Sequence, residues 1–460
     1  MIRNVLLIAI HGLTIVLLAT SSELRAAEAS SRFSDEPVPL QLDDFPERPA
    51  PLFEIGDGFL STGNISDGFT LPTGAVWTPS FFMFGNYRTA IQTFDNGTTR
   101  TSEWANDLNL FGNLQLAATE RIVIGLSPLR NRDGEFTGYT FEPNTLRGRD
   151  QDFGNNFEPS IFFFEGEFGE LFPRWDNGDQ RSLDYGISFG RQPLSLQDGI
   201  LVNDDRLDAI TITRNALLPG RGSNLKLSGI FAWNEIQRGD NRTDDSARLF
   251  GLDMLMDLPR STIEADIIYT TSDDGEDGFY AGIGATQRLG KFSTTFRVNQ
   301  SVAVDEESTA VGTGTLLFAE VSIEPPHTHN NLYVNGYVAI DDFTSAVRGP
   351  FTGGPIGRAG ILFSAVGIGR YGSPLSNRAI RSAGGAIGYQ MFFGEFRRRQ
   401  LILEAGGLAP TDEGSSAEAL GARYQQALGR RAVLIFDLFG AVQESTDNAF
   451  GARMELLVKF

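Results

Sequence analysis

From Trp77 to the C-terminus one unit recurs: 8 to 12 residues in which apolar and polar positions alternate, closed by a turn or loop rich in Gly, Asn, Asp or Pro. A period of two sends successive side chains to opposite faces of a strand. Ile263, Ala265, Ile267 and Tyr269 thus share a face against Glu264 and Asp266. Phe292, Phe296 and Val298 are set against Thr295, Arg297 and Asn299, and Leu108, Leu110, Leu114 and Leu116 against Asn109, Asn113 and Gln115. Helical spacing with capping residues is almost absent. The pattern predicts an all-β chain of about 18 antiparallel strands between residues 81 and 460. Counts of 16 or 20 stay open, because the apolar run GILFSAVGIG at 360–369 reads equally as a further strand.

Alternation alone fits a soluble two-layer sheet as well as a transmembrane barrel. Loop lengths separate the two. The predicted connections mostly alternate between short ones (ATE, DLPR, RLGK, GEFR, LGR) and long ones (NEIQRGDNRTDD, TSDDGEDG, SVAVDEESTAV and two of about 30 to 40 residues). Short turns at one end and long loops at the other are the asymmetry of a bacterial barrel, and an even strand number returns the C-terminus to the side where the barrel began. In the last strand Phe450, Ala452, Met454, Leu456, Val458 and Phe460 fall on one face, with Arg453, Glu455 and Lys459 on the other. A chain ending on an aromatic, with apolar residues at every second preceding position, resembles the bacterial outer-membrane β-barrel porins. The resemblance implies that Phe460, Val458 and Leu456 form the signal read by the barrel-assembly machinery. On the strand before it, Ala432, Leu434, Phe436 and Leu438 form a lipid-facing row and Asp437 faces water, so that neutralising Asp437 is expected to cost little.

Mean hydropathy of -0.14 leaves no room for a bundle of membrane helices, each of which needs about 20 consecutive apolar residues. Only the first positions come close. Arg3 followed by the apolar run Val5–Ala19 reads as an export signal over residues 1–29, cut after Ala29, with Ala19-Thr20-Ser21 as an alternative site. Residues 30–75, with Pro37, Pro39, Pro46, Pro49, Pro51 and Pro72 among acidic residues and Gly, read as a periplasmic linker; the stretch IGDGFLSTGNISDGF within it is also compatible with a local plug. Residues 76–460 make the barrel. A formal charge of -20 argues against a nucleic-acid partner, and the absence of Cys removes disulfides, thiolate zinc sites and cysteine nucleophiles. The long connections carry Asp244, Asp245, Asp273, Asp274, Glu276, Asp277, Asp305, Glu306 and Glu307. The short ones carry Arg121, Arg221, Arg260, Arg288, Arg397, Arg398, Arg430 and Arg431. Acidic outer loops fit divalent-cation bridging at an anionic cell surface and plain solubility equally well.

Of the three His residues, His11 lies in the export signal and His327 and His329 lie in a turn at the short-turn end, so no His is placed for a Ser-His-Asp triad. No catalytic residue, metal site or cofactor is expected, and the chain is not expected to be an enzyme. In residues 189–214, Gly190-Arg191-Gln192, Asp198-Gly199, Leu201 and Arg206-Leu207-Asp208 resemble the porin-like alginate-export family. That resemblance implies an 18-stranded barrel exporting or admitting solutes. The aromatic usual in the connecting loop is replaced by Val202-Asn203-Asp204-Asp205, which leaves the polymer unidentified.

The expected function is therefore an outer-membrane channel for passive diffusion or export of hydrophilic solutes. A non-conducting surface protein displaying acidic loops is the alternative. The location is the outer membrane of a diderm bacterium. The partners are its lipids, the assembly machinery and an unidentified solute, and a homo-oligomer stays open. Alternation turns Glu264, Asp266, Arg297, Arg423, Asp437, Arg453 and Glu455 toward the lumen. Between Asp341 and Ser382, five Arg against two Asp give a local +3, and this segment is expected to fold inward and present Arg358, Arg370 and Arg378 opposite the wall acids as a constriction.

Deleting Phe460 should lower the amount of folded, heat-modifiable protein recovered from outer membranes; unchanged assembly would contradict the role given to the terminal aromatic.

Overall fold

The computed structural model describes residues 50–58, 66–131, 135–142, 151–152, 155–176, 183–217, 224–273, 275–305 and 307–460. The predicted export signal with His11, residues 30–49 of the linker, and Arg221, Asp274 and Glu306 lie outside them. The compact unit Pro51–Phe460 is an all-β, closed antiparallel barrel.

Its wall has 18 strands: β1 (Ser80–Asp95), β2 (Arg100–Gln115), β3 in two pieces (Arg121–Leu126 and Thr137–Glu142), β4 (Pro159–Glu167), β5 (Tyr185–Leu196), β6 (Val202–Leu217), β7 (Asn224–Ala232), β8 (Arg248–Asp257), β9 (Ser261–Thr271), β10 (Gly278–Leu289), β11 (Phe292–Ala303), β12 (Gly314–Ile323), β13 (Asn331–Asp342), β14 (Ile380–Phe393), β15 (Arg399–Pro410), β16 (Ala417–Leu428), β17 (Ala432–Gln443) and β18 (Ala449–Lys459). Each strand pairs with its neighbours in sequence, and β18 closes the sheet on β1 in the register Phe450↔Asp95 to Lys459↔Asn86. Phe460 extends the seam. Its N–H donates to the Gly85 carbonyl at 3.0 Å, and the Gly85 N–H donates back at 2.8 Å. A Cβ at position 85 would lie 2.8 Å from the Phe460 ring, so the glycine makes room for the terminal aromatic. The run at 360–369 is not a strand. Part of the predicted linker is ordered: Phe53–Ile55 pairs with Phe81–Met83, beyond the point where β18 ends.

The wall is apolar outside and charged inside. Ile267 is 52% exposed beside Asp266 at 2%, and Met454 is 46% exposed beside Arg453 at 5%. That inversion of the soluble pattern is what a sheet surrounded by hydrocarbon requires, because the outer residues meet lipid and the inner ones meet water or each other. Connections at one rim are mostly short, such as 258–260, 290–291 and 429–431. Residues 168–184, with a one-turn helix at Phe168–Leu171, are the long exception there. The opposite rim carries 233–247, 304–313 and 343–379.

Acids of these long loops bond within the protein. Asp244 accepts the N–H groups of Ser246 and Ala247 at 3.0 Å each and lies 3.2 Å from Arg238. Glu276 ties two loops together, accepting the N–H groups of Thr309 and Ala310 at 2.9 Å each and the Ser308 hydroxyl. Burial works against the charged form of Glu276, but these bonds outweigh it and bring the carboxyl from the usual 4.5 to about 2. A carboxyl more acidic when folded stabilises the fold above its unfolded pKa and loses that contribution as pH falls through the folded value. Melting curves taken between pH 4.5 and pH 2 should therefore show wild type losing stability, with Glu276→Gln, less stable at neutral pH, following a flatter curve; parallel curves would show the bonds to be inconsequential.

Candidate functional site: the inward segments of the lumen

A barrel of 18 strands is too wide for its own wall side chains to fill, as the width of such barrels grows with strand number. Here three segments turn inward. The first interrupts β3, where Arg130 makes a two-pronged pair with Asp107 of β2 at 2.9 and 2.8 Å. The second is the tight connection between β5 and β6. The third is the long segment 343–379 between β13 and β14. They meet one another: Val347–Arg348 of the third runs parallel to Val202–Asn203 beside the second, and Phe351 lies 5.1 Å from the Phe136 ring and 4.8 Å from the Arg130 guanidinium of the first.

The tip of the second segment is seated on the wall formed by β9, β10 and β11. Gln197 and Asp198 take left-handed backbone conformations, with φ of 52° and 54°, which turn the hairpin end into the lumen. The Gln197 N–H donates to Glu264 at 2.6 Å, and its side-chain amide donates to Asp266 at 2.7 Å. Arg297 donates to Gln197 at 2.9 Å and to Glu264 at 2.7 Å, and also pairs with Asp198. Two glycines of β10 create the seat. A Cβ at Gly282 would come within 2.6 Å of the Gln197 side chain, and one at Gly284 within 2.6 Å of Arg297. Behind the tip, Ile200, Leu201 and Val202 are completely buried.

The third segment crosses the lumen and hydrogen-bonds through its backbone to wall groups that are buried or half-buried. Glu404 of β15 accepts the N–H groups of Ile361 and Leu362 at 3.0 and 2.8 Å. Asn335 of β13 donates to the Ala359 carbonyl at 3.1 Å. On the far side, Arg88 of β1 donates to Val366 at 3.0 Å, Gln92 donates to Ile368 at 3.2 Å, and Glu103 of β2 accepts the Arg370 N–H. Arg348 is 2% exposed and donates to the carbonyls of Gly199 and Gly353, which fastens the third segment to the second. Tyr371 packs between Phe94 and Phe439, with ring centroids at 5.5 and 6.0 Å.

The residues singled out in the sequence fall into three places. Glu264, Asp266 and Arg297 converge at the seat of the second segment. Arg423, Asp437, Arg453 and Glu455 form a second cluster, joined by Arg88: Arg423 and Arg453 both bond Asp437, Arg453 lies 2.8 Å from Glu455, and Arg88 donates to Glu455 at 2.8 Å. Of the three arginines singled out on the third segment, Arg358 lies 3.6 Å from Asp198 of the seat, and Arg370 and Arg378 are exposed. Alternation alone missed Gln197, Glu103, Glu404 and Arg348, because it assigns a face and says nothing of which loop will cover it.

Asp437 differs from the sequence expectation. It faces inward but is only 6% exposed, because Tyr371 and the third segment cover it and two arginines share it. In the segment 189–214, Arg191 and Asp208 pair at 2.9 Å on the same strand face as the exposed Phe189, away from the lumen.

No family model matches the sequence, and no curated protein matches it either. The similarity of residues 189–214 to the alginate-export family thus stands on those residues alone. Solved structures share the fold. OpdK of Pseudomonas aeruginosa, an outer membrane protein, aligns over 82% of this chain and 98% of its own with 10% identity and a TM-score of 0.54. A BenF-like porin from Pseudomonas fluorescens Pf-5 aligns over 83% and 98% with 11% identity and a TM-score of 0.56. OccK2 (OpdF) of Pseudomonas aeruginosa gives 83% and 97%, 11% identity and 0.55. At such identities the likeness is one of fold.

Removing one partner of a buried ion pair strands the other charge, at a cost of roughly 3 to 5 kcal/mol. Asp437→Asn should accordingly destabilise the folded barrel by about 3 kcal/mol in urea titrations in lipid vesicles, and a cost below about 1 kcal/mol would restore the water-facing reading.

Proposed function

We propose that this chain is an outer-membrane channel through which hydrophilic solutes diffuse passively, inward or outward, past a constriction made by the third segment, with a preference for anions. The observation that carries the reading is a segment with four Arg and no acidic residue, 343–379, lying across a charged lumen, with Arg358, Arg370 and Arg378 exposed. Within a narrow, partly desolvated throat, Coulomb energies are several-fold larger than in bulk water, so exposed guanidinium groups raise the local concentration of anions. Buried pairs such as Arg453 with Asp437 hold the wall rigid and largely cancel one another. Selectivity is left to the exposed arginines. The barrel-porin fold of the structural neighbours, the lipid-facing outer rows and the predicted export signal all support placement in an outer membrane. The chemistry needed is binding and screening of solutes, without covalent catalysis.

A second reading, a sealed barrel with a structural or surface role, draws on the apolar core that the inward segments build inside the lumen, where Ile200, Leu201, Val347, Ile356 and Phe363 are completely buried. Planar-bilayer recording separates the two. Wild type should give discrete conductance steps with anion preference, and replacing residues 349–378 with a short Gly-Ser linker should raise the conductance and reduce that preference. Folded protein that inserts without conducting would favour the sealed barrel, and a linker variant with unchanged conductance and selectivity would remove the constriction from this segment.

A further inference from the structure

The wall beneath the second segment holds three carboxylates that the channel reading leaves without a task. Asp253 of β8 and Asp266 of β9 are direct cross-strand partners, and Glu264 is the next inward residue on β9. Like charges placed opposite one another across a sheet destabilise it. Here one oxygen from each of the three lies within 4.8 Å of the others. Asp253 and Asp266 are 5% and 2% exposed, so water does not relieve the repulsion.

The existing partners cover two of the three. Lys226 lies 3.1 Å from Asp253, and Arg297 lies 2.7 Å from Glu264. Asp266 has the Gln197 amide on one oxygen, while its other oxygen, Oδ1, is sealed from solvent and accepts no hydrogen bond. A buried carboxylate oxygen in that condition is costly unless something cationic or a proton meets it. Asn299 is a second orphan in the same row. It is reached from Asp266 through Gly282, it is completely buried, and neither of its amide atoms is bonded. It offers both an acceptor and a donor to water that accompanies an ion.

Charge and spacing identify the missing group. Around the seat, Asp198, Asp253, Glu264, Asp266 and the neighbouring Glu320 face Lys226, Arg297 and Arg358, which leaves two negative charges uncompensated. A divalent cation cancels them. Two oxygens bound to one calcium ion at about 2.3 to 2.6 Å stand at most about 5 Å apart, whereas magnesium at about 2.1 Å limits the separation to about 4.2 Å. Three carboxylate oxygens within 4.8 Å of one another fall inside the reach of a calcium ion, which takes protein oxygens in a flexible geometry, where magnesium demands a near-ideal octahedron and keeps most of its water.

We propose that Asp253, Glu264 and Asp266 form a calcium site in the barrel wall. By neutralising the two carboxylates that receive Gln197, the ion fixes the tip of the second segment, and through Arg348 the third, in the lumen. The site does not depend on whether the barrel conducts. The competing occupant is a proton shared between Asp253 and Asp266.

Full-length protein purified in detergent and stripped with EDTA should be titrated calorimetrically at neutral pH with calcium chloride and, separately, magnesium chloride. Wild type should show one saturable calcium site per chain, with magnesium weaker by about tenfold. Calcium should also raise the temperature at which the folded, fast-migrating form is lost. Asp266→Asn should lower calcium affinity by about tenfold or more, while Asp412→Asn in an exposed turn leaves it unchanged. Should Asp266→Asn fail to fold, Glu264→Gln carries the same readout. Wild type without a saturable calcium heat, or a folded ligand variant that binds calcium like wild type, would overturn the site.

Discussion

The structure depends on one constraint, that no backbone N–H or C=O facing hydrocarbon can be left unpaired. A single open sheet of this length has two edges that violate it, and joining β18 to β1 removes both. The rest follows from closure. Consecutive antiparallel pairing with an even strand number brings the seam together at Gly85 and Phe460, at the rim with mostly short turns. Because the outer face meets lipid, the apolar half of each alternation must point outward and the polar half inward. The protein thus acquires a charged interior as a by-product of a stable exterior.

That interior brings its own difficulty, since buried charges and amides cost free energy unless they are bonded. The inward segments resolve it. Glu404 and Glu103 accept backbone N–H groups of the third segment, Arg88 and Gln92 donate to its carbonyls, and Glu264 and Asp266 receive Gln197. A loop lying in a lumen needs partners for its backbone, and the wall needs partners for its side chains. Each supplies the other. The same bonds explain why the third segment has one defined path in spite of having almost no regular structure of its own.

How much of this was legible in the sequence follows from the range of the interactions involved. Strand positions and faces are local properties, and alternation placed all 18 strands; Glu264, Asp266, Arg297, Asp437, Arg453 and Glu455 lie on strand faces opposite the exposed apolar rows. The depth of burial was not legible. Asp437 looked water-facing because nothing near it in sequence reveals Tyr371 above it. The bond between Glu103 and Arg370 spans 267 residues, and no local pattern encodes such a meeting. The run at 360–369 stayed ambiguous between wall and lumen because Leu362 and Phe363 are buried against the inner face of the barrel, where apolar residues serve packing and not lipid contact.

The central claim, that segment 343–379 resides across the lumen and is held by the wall, is tested most directly by cross-linking. The chain has no native Cys, so an engineered pair reports without background. Ala105 of β2 and Ile368 of the segment are 2% and 0% exposed and share one buried apolar cluster. Protein carrying Ala105→Cys and Ile368→Cys, folded into lipid vesicles and treated with an oxidant or a short bifunctional thiol reagent, should cross-link within the chain nearly completely. Failure to cross-link, with both thiols open to a bulky soluble reagent, would place the segment outside the lumen and contradict the account.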